Sequence, residues 1–358
     1  MANRWDALDV LRGLTIILML MNLTPGSWEF NYPFLVHAKW EGWTLIDMVA
    51  PAFLFCIGAA MPLSLERRSA KGDSRGALLR HVLSRGALLI AIGLFLNLYP
   101  HFDFATFRIP GVLQRIALVY IAVSWITERL PTRAQIVVAT AALGGYWLVL
   151  AAAPLSAEAN LGAVLDRQVF GRHMLYPLWD PEGLLSTVPA IATALCGVFA
   201  GDWLKVRGAA HRAWRLWAAG ATATALALLW NRALPINKNL WTSSYALFSA
   251  GAAAQVLAIC YWTIDVKGRR GWSRPFVAFG RNPLVAYFLS VGLDAVLARW
   301  SVAGSGSLKA LIYRNAFLSW LRPCCGSEAA ALGYAIAYVA LWGVVIWWMY
   351  RRRVFIGI

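Results

Sequence analysis

The chain has 358 residues, of which 60% are hydrophobic and 14% are charged, and its mean hydropathy is +0.58. Soluble domains are about 45–50% apolar and about 25% charged, so this composition excludes an ordinary soluble domain and indicates a lipid bilayer as the solvent. The formal net charge of +16 is spread over short loops between apolar runs rather than gathered in one basic domain, which argues against a nucleic-acid-binding protein.

Apolar runs recur along the whole chain and are separated by charged residues, prolines and glycines. A helix needs roughly 20 apolar residues to cross the hydrocarbon core, and this criterion predicts about ten transmembrane helices. The fold class is therefore all-α, and we expect residues 1–358 to form a single transmembrane domain. The predicted spans are 8–23, 44–65, 81–99, 110–127, 136–153, 183–201, 213–230, 243–263, 276–298 and 329–350.

Lysine and arginine predict the orientation of these spans. They are most frequent in the loops after the second, fourth, sixth and eighth spans and at 351–353, with Arg4 and Arg207 among them. Because positively charged loops stay on the cytoplasmic side, both termini are predicted to be cytoplasmic. The stretch 308–321 is helical in pattern but short and charged, so we predict an extra amphipathic or re-entrant helix on the outer face.

The first two spans carry polar residues at both ends. Asp9 and Arg12 lie three residues apart near the cytoplasmic end of the first span and most simply pair with each other. His37 stands just before the second span, and Asp47 lies about one turn inside it. A carboxylate beside an imidazole fixes its tautomer and raises its basicity, which suits a general base. A histidine that only anchors the helix at the interface is the alternative, and both remain open.

The fourth span contains buried charge. The seven-residue spacing of Arg108 and Arg115 predicts that they share one face of this helix, with Gln114 beside them. A guanidinium at membrane depth needs a partner, so these arginines either bind substrate or belong to a purely structural ion-pair network. The candidate partners are Asp47, Asp180 and Glu182.

Two outer loops supply further polar groups. In DPEGLLST, Pro181 and Glu182 are predicted to open the sixth span, where a helix N-terminus favours negative charge. Asp180 and Glu182 thus serve either to cap the helix or to bind a cationic sugar amine, and both explanations remain open. The segment PINKNLWTSSY leads into the eighth span, where its amides and its tryptophan could hydrogen-bond to a sugar ring and stack on it. The predicted substrate-binding residues are Arg108, Gln114, Arg115, Asp180, Glu182, Asn237, Lys238, Asn239 and Trp241.

Histidine and cysteine show no metal-ligand spacing, and neither a phosphate-binding glycine loop nor a nucleophile elbow occurs. We therefore predict no metal site.

Six ordered motifs and the chain terminus resemble the heparan-α-glucosaminide N-acetyltransferase family and its bacterial relatives. The resemblance runs through nearly the whole chain. Such enzymes take acetyl from cytoplasmic acetyl-CoA and deliver it to a terminal glucosamine on the opposite side of the membrane. The resemblance implies that His37 is the catalytic residue and that Asn22 and Asp47 flank it. The motifs are LDVLRGLTI, HAKWEGWTLIDMVAPAFLFCIG, RIPGVLQRIALVY, DPEGLLSTVPAI, INKNLWTSSY, DVKG with FGRNPL, and RRRVFI.

The expected function is thus an acetyl-CoA-dependent acyltransferase of a bacterial inner membrane, acting on an amino sugar or related glycan at nitrogen or oxygen. Direct attack with His37 as base and an acetyl-His37 intermediate both remain open. We predict Asp9, Arg12 and Asn282 for the cofactor site, and the resemblance implies a homodimer. A sugar or muropeptide transporter that uses the outer polar cluster is the alternative function.

Overall fold

The computed structural model describes residues 5–99, 101–205, 209–302 and 306–356, and these residues are mostly α-helical. Several helices begin at short polar side chains that cap them. Ser74 accepts a hydrogen bond from the backbone N–H of Ala77, and Thr242 accepts one from that of Tyr245. Such caps satisfy N–H groups that have no carbonyl partner in the first turn.

The α-helices of the described residues are α1 (Asp6–Leu23), α2 (Val49–Ala70), α3 (Arg75–Leu98), α4 (Val112–Arg129), α5 (Thr132–Ala151), α6 (Leu161–Phe170), α7 (Thr187–Leu204), α8 (Ala210–Trp230), α9 (Ser243–Tyr261), α10 (Arg274–Arg281), α11 (Pro283–Arg299), α12 (Leu308–Tyr313), α13 (Ser319–Cys325) and α14 (Ser327–Arg351). Short 3₁₀ turns occur at Pro33–Leu35 and Ile46–Met48, and π-helical turns at Trp262–Val266 and Arg314–Leu318. Strands β1 (Ser301–Val302) and β2 (Gly306–Ser307) form an antiparallel pair.

Among the described residues, six helical segments are long and apolar enough to cross a membrane, so the protein is a multi-pass membrane protein. Helices α1, α4 and α8 coincide with predicted spans but are not among the six: α1 and α4 each carry three charged residues, and α8 contains His211, two arginines and three tryptophans. The count of ten spans therefore stays a prediction. The chain termini, Arg4 and Arg207 lie outside the described residues. The six segments are Ile46–Ala70, Arg75–Leu98, Thr132–Ala151, Thr187–Leu204, Ser243–Val266 and Ser327–Arg351.

The ninth predicted span is broken. Helices α10 and α11 meet at Asn282 with a bend of 80°, because Pro283 opens α11 and cannot continue α10. The predicted extra helix near 308–321 is present as α12, a π-helical turn and α13. Its position at the membrane surface stays a prediction.

Small residues bring the central helices together. A Cβ at Gly58 of α2 would clash with the carbonyl of Ala194 on α7, and a Cβ at Gly197 would clash with the carbonyl of Phe55. Backbones in such close contact are typical of helix pairs in membranes. In the most apolar stretch of α7 67% of the residues are buried, against 17% in α3, so α7 is central and α3 peripheral.

A cavity of about 520 Å³ lies inside the bundle, between α1, α2, α3, α4 and α11. Its lining includes Arg12 and Asn22, which stand ten residues, or about 15 Å, apart along α1. The cavity therefore extends through a large part of the membrane thickness.

Two distant loops join at the Asn22 end of this cavity. Gly42 and Asn237 form a parallel β-bridge, and the N–H of Gly42 donates to the carbonyl of Ile236 at 2.8 Å. Gly42 has φ +92°, a conformation that glycine adopts readily. The bridge places segment 37–47 against the loop before α9.

Candidate active site

His37 and Asp47 form a hydrogen-bonded pair at the Asn22 end of the cavity. The Nδ1 atom of His37 lies 2.7 Å from Oδ1 of Asp47. The side chain of His37 is 46% exposed, whereas that of Asp47 is 1% exposed, so the ring is accessible while its partner is not. An Nδ1–H that donates to Asp47 makes Nε2 the acceptor atom of the ring, which is the arrangement of a general base.

The backbone around Asp47 fixes the position of its carboxylate. Its Oδ2 accepts hydrogen bonds from the N–H of Ala38 at 3.1 Å, from the N–H of Thr44 at 2.9 Å and from the hydroxyl of Thr44 at 3.1 Å. The hydroxyl of Tyr245 on α9 donates to the backbone carbonyl of Asp47. The carboxylate is therefore preorganised by its own segment, and α9 holds the backbone of Asp47 in place.

Lys238 lies directly beside this pair. Its Nζ is 2.8 Å from Nδ1 and 3.2 Å from Nε2 of His37, and 3.4 Å from Oδ1 of Asp47. Burial lowers the pKa of Lys238, although the carboxylates of Asp47 and Glu182 act in the opposite direction. Sequence reasoning placed Lys238 among the substrate-binding residues, and the structure brings it onto the predicted catalytic histidine.

Asn22 lines the same end of the cavity as His37. Its Nδ2 donates to the carbonyl of Leu35 at 3.0 Å, two residues before His37. The structure thus brings the three predicted catalytic residues together, with Asn22 holding the segment that carries the histidine.

Arg108 forms a buried ion-pair cluster with the two acids of the DPEG segment. Its Nε and Nη2 contact Asp180 at 2.8 and 2.6 Å, and Nη2 also donates to Glu182. Burial alone would lower the pKa of Arg108, but the two carboxylates raise it above its ordinary value. Burial alone would raise the pKa of Glu182, but the positive charges of Arg108, Arg115 and Lys238 outweigh this effect and lower the pKa. Arg108 and Glu182 are therefore held in their charged forms.

Two details of this region differ from the sequence prediction. Arg108 precedes α4, which begins at Val112, so Arg108 and Arg115 do not share a helix face. Asp180 and Glu182 precede α7, which begins at Thr187. The carboxylate of Asp180 accepts hydrogen bonds from Arg108 and from the N–H groups of Leu175 and Glu182. These bonds hold the segment as a loop rather than as a first helical turn.

Arg115 has backbone oxygens rather than carboxylates as its partners. Its Nη2 donates to the carbonyls of Pro181 at 2.8 Å and Gly183 at 3.2 Å, and to the hydroxyl of Ser186. Its guanidinium also lies 4.9 Å from the ring centroid of Trp241. Arg115 thus ties α4 to the loop before α7.

The loop before α9 contributes both lining and support. Asn239 and Trp241 line the cavity, but Trp241 is only 1% exposed and its φ is +50°, so it packs in the wall rather than presenting a free face. Asn237 accepts a hydrogen bond from the N–H of Leu240 at 3.0 Å, and Gln114 donates to the carbonyl of Ile109 at 3.0 Å. Neither Asn237 nor Gln114 is among the lining residues.

An aromatic wall that was not predicted from the sequence lies at the Asn22 end of the cavity. Tyr176 and Trp179 line it with stacked rings 4.5 Å apart, and Trp40 packs edge-on against Trp179 at 5.1 Å. The indole N–H of Trp40 is bound to the carbonyl of Leu155 at 2.9 Å, which fixes the wall. The tryptophan next to Asp180 in LWDPEG was the available signal.

The predicted cofactor residues lie at the opposite end. Arg12 lines the cavity and donates to Asp9 at 3.2 Å and to the carbonyl of Gly280 at 3.3 Å. Asn282 is fully buried, and its amide binds the carbonyl of Val354 at 3.1 Å and the N–H of Ile356 at 2.9 Å, so it clamps the segment after α14. Of the three residues predicted for the cofactor, only Arg12 is among the lining residues.

Within the part of the chain that the structure describes, no three histidine, cysteine or acidic side chains are grouped as metal ligands would be. The chemistry available at the site is that of an imidazole, an ammonium group and a carboxylate.

Comparison with known proteins identifies relatives of this chain. Residues 4–237 match the family model described as heparan-alpha-glucosaminide N-acetyltransferase, catalytic. The chain is 27% identical to the human heparan-alpha-glucosaminide N-acetyltransferase over 424 aligned positions, which cover 98% of the chain and 59% of the relative. It is 26% identical to the mouse protein of the same name, with 99% and 60% covered. The chain thus spans about three-fifths of the length of these relatives.

Proposed function

The chain belongs to the heparan-alpha-glucosaminide N-acetyltransferase family, and from this premise we propose that it transfers acetyl from cytoplasmic acetyl-CoA to an amino sugar or related glycan. In this proposal the acceptor stands on the periplasmic side of a bacterial inner membrane. Nitrogen of a glucosamine-type sugar is the proposed acceptor atom, with a sugar hydroxyl as the variant. A homodimer stays a prediction.

The observation that carries the proposal is the His37–Asp47 pair at the Asn22 end of a cavity that also reaches Arg12. A soluble acetyl donor and a glycan on opposite sides of a membrane must meet at a point that both can reach. The cavity supplies that meeting point, and the pair supplies a base there.

In the direct route, the acceptor nitrogen attacks the thioester carbonyl carbon while Nε2 of His37 takes the proton from that nitrogen. The carbon–sulfur bond then breaks, acetyl stays on nitrogen, and CoA leaves as a thiolate that receives a proton. Lys238, next to the ring, can donate to the developing oxyanion or to the thiolate. In the two-step route, His37 first accepts the acetyl group and then passes it to the acceptor.

In this proposal the Asn22 end of the cavity is the periplasmic end, and its lining residues fit a sugar. The faces of Tyr176 and Trp179 offer an apolar surface for the C–H groups of a pyranose ring, and the amide of Asn239 offers hydrogen bonds to its hydroxyls. Glu182 also lines this end, but its charge is paired with Arg108, so the attacking nitrogen in this route is that of the neutral amine. Fixing both reactants in one cavity supplies part of the rate enhancement.

The test is transfer of radiolabelled acetyl from acetyl-CoA to a panel of amino sugars and glycans by the purified protein. Wild type is compared with His37→Ala and with the matched control His101→Ala, which changes an exposed histidine that is not among the lining residues. We expect transfer by wild type and the control and none by His37→Ala. Full activity in His37→Ala would remove both routes, and sugar uptake without transfer would favour the transporter.

A further inference from the structure

An arginine of α3 faces the cavity without a carboxylate partner. Arg85 lines the cavity, and its guanidinium lies 5.1 Å from the ring centroid of Tyr120 on α4. Its Nε is buried and has no hydrogen-bond partner within residues 5–99, 101–205, 209–302 and 306–356. Among the described residues, the hydroxyl of Tyr120 is its one hydrogen-bonding partner, and the charged groups that act on it are the cations Arg12 and Arg68.

The other arginines that line the cavity have partners. Arg12 binds Asp9, Arg281 lies 3.4 Å from Asp9, and Arg108 binds Asp180. Arg115, as described above, donates to backbone carbonyls. Arg115 and Arg281 also have buried nitrogens without a partner, but Arg85 alone of the five has, within the described part of the chain, neither an acidic side chain nor a backbone oxygen bound to it and is contacted only by Tyr120.

The position of Arg85 makes this charge costly. It stands ten residues after Arg75, the first residue of α3, and therefore about 15 Å along a helix that crosses the membrane. A cation at membrane depth without a partner marks a ligand or ion pathway. Arg12 also lines the cavity and its charge acts against that of Arg85, so an anion placed between them would be attracted to both.

We propose that Arg85 binds a phosphate group of the acetyl donor, the diphosphate between the nucleotide and the pantetheine arm. This inference rests on the proposed function and adds the residue that anchors the donor. A guanidinium offers paired N–H donors that match two phosphate oxygens. With the diphosphate held at Arg85, the arm extends through the apolar part of the cavity and carries the thioester to His37.

The experiment measures binding of CoA, which lacks acetyl and cannot react, to the full-length protein in a maltoside detergent free of phospholipid. The variants are Arg85→Gln, Arg85→Lys and the matched control Arg80→Gln, which removes an exposed arginine from the same helix. We expect Arg85→Gln to weaken CoA binding at least tenfold, Arg85→Lys to weaken it less, and Arg80→Gln to leave it unchanged. Pantetheine, which has no diphosphate, should bind all four proteins equally.

Folding and catalysis are separated by two further readouts. Without ligand, Arg85→Gln should melt at the same temperature as wild type or higher, because it removes an uncompensated charge. His37→Ala should bind CoA as wild type does while losing transfer, so a failure of the catalytic proposal is distinct from a failure here.

Equal CoA affinity in wild type and Arg85→Gln would overturn the inference and leave the proposed function standing. Absence of CoA binding by wild type would overturn the inference together with the assigned donor. Phospholipid that co-purifies with wild type but not with Arg85→Gln, at unchanged CoA affinity, would assign Arg85 to a lipid headgroup phosphate instead.

Discussion

Both oxygens of the Asp47 carboxylate are in use, one toward His37 and one toward Ala38 and Thr44. An asparagine at this position could not hold the same tautomer of the ring, since its amide N–H₂ would donate toward Nδ1 and move the proton to Nε2. We expect Asp47→Asn to lower kcat by about 10²- to 10⁴-fold, the usual contribution of general acid–base catalysis, with unchanged CoA affinity. Unchanged kcat would contradict the role given to Asp47. The control is Asp103→Asn, which changes an exposed acid in a loop and should leave kcat unchanged.

The aromatic wall makes a separate prediction about the acceptor. Trp179→Ala removes one stacking surface, and an aromatic contact of about 0.5–1.5 kcal/mol corresponds to a KM for the sugar roughly 2- to 10-fold higher. The KM for acetyl-CoA should stay constant. The control is Trp28→Ala, because Trp28 is 68% exposed and is not among the lining residues. An increase in the acetyl-CoA KM instead would place the donor, not the sugar, against this wall.

Individual residue types and spacing could predict only part of this site. His37 and Asp47 are ten residues apart, so their proximity could be predicted locally, and the structure confirms the contact. Lys238 lies 201 positions from His37 and reaches it through the Gly42–Asn237 bridge, which no local pattern reveals. Arg85 lies inside the third predicted span, but the direction in which a peripheral helix presents one arginine depends on how that helix packs.

At the scale of elements, the contact between α2 and α7 depends on glycine. Gly197→Ala adds a Cβ where the carbonyl of Phe55 already lies, and overpacking of this kind costs about 1–3 kcal/mol. We expect a lower apparent Tm and a faster loss of activity on heating. The matched control is Gly144→Ala on α5, where a Cβ would meet no atom within 4 Å and alanine favours helix by up to about 1 kcal/mol. Equal effects of the two substitutions would contradict the packing argument.

Helix α6 carries a buried acid against the loop before α7. Oδ1 of Asp166 accepts a hydrogen bond from the N–H of Leu184 at 2.9 Å, and burial raises the pKa of Asp166 to about 6. A folded-state pKa above the ordinary 3.8 means that the folded protein binds this proton more tightly than the unfolded chain. Its contribution to stability is therefore greatest below about pH 4 and is lost as pH rises through 6.

The ionised form of Asp166 then costs up to about 3 kcal/mol at neutral pH. Asp166→Asn keeps an acceptor for Leu184 without the charge. We expect its apparent Tm, relative to wild type, to be higher at pH 7.5 than at pH 4.5. The exposed neighbour Glu158 provides the control Glu158→Gln, which should show no such difference. A pH-independent difference for Asp166→Asn would show that burial does not shift this group.

The positions of most helices could be predicted because length and hydropathy determine them. The boundaries near polar residues could not, since tertiary contacts decide them. The sixth predicted span begins at 183, yet α7 begins at Thr187 because Arg108 holds Asp180 and Glu182 in a loop. Pro283 could be identified in advance as a break, but the 80° angle depends on packing around it.

On the scale of the whole molecule, charged side chains lie at both ends of one cavity. The Asn22 end holds the His37–Asp47 pair, Lys238 and the Arg108 cluster, whereas Arg12, Arg85 and Arg281 line its other part, with apolar side chains between them. Hydropathy predicted the membrane, but the cavity arises from the packing of several helices and has no signature in any one of them. In the proposed reaction, its continuity lets a donor and an acceptor on opposite sides of the membrane meet.

The most direct test of this account is transfer across a sealed membrane. Proteoliposomes are loaded with radiolabelled acetyl-CoA and washed, glucosamine is added outside only, and external N-acetylglucosamine is measured for wild type and His37→Ala. We predict external product from wild type and none from His37→Ala. Product that forms only when donor and sugar share one compartment would contradict transfer through the cavity.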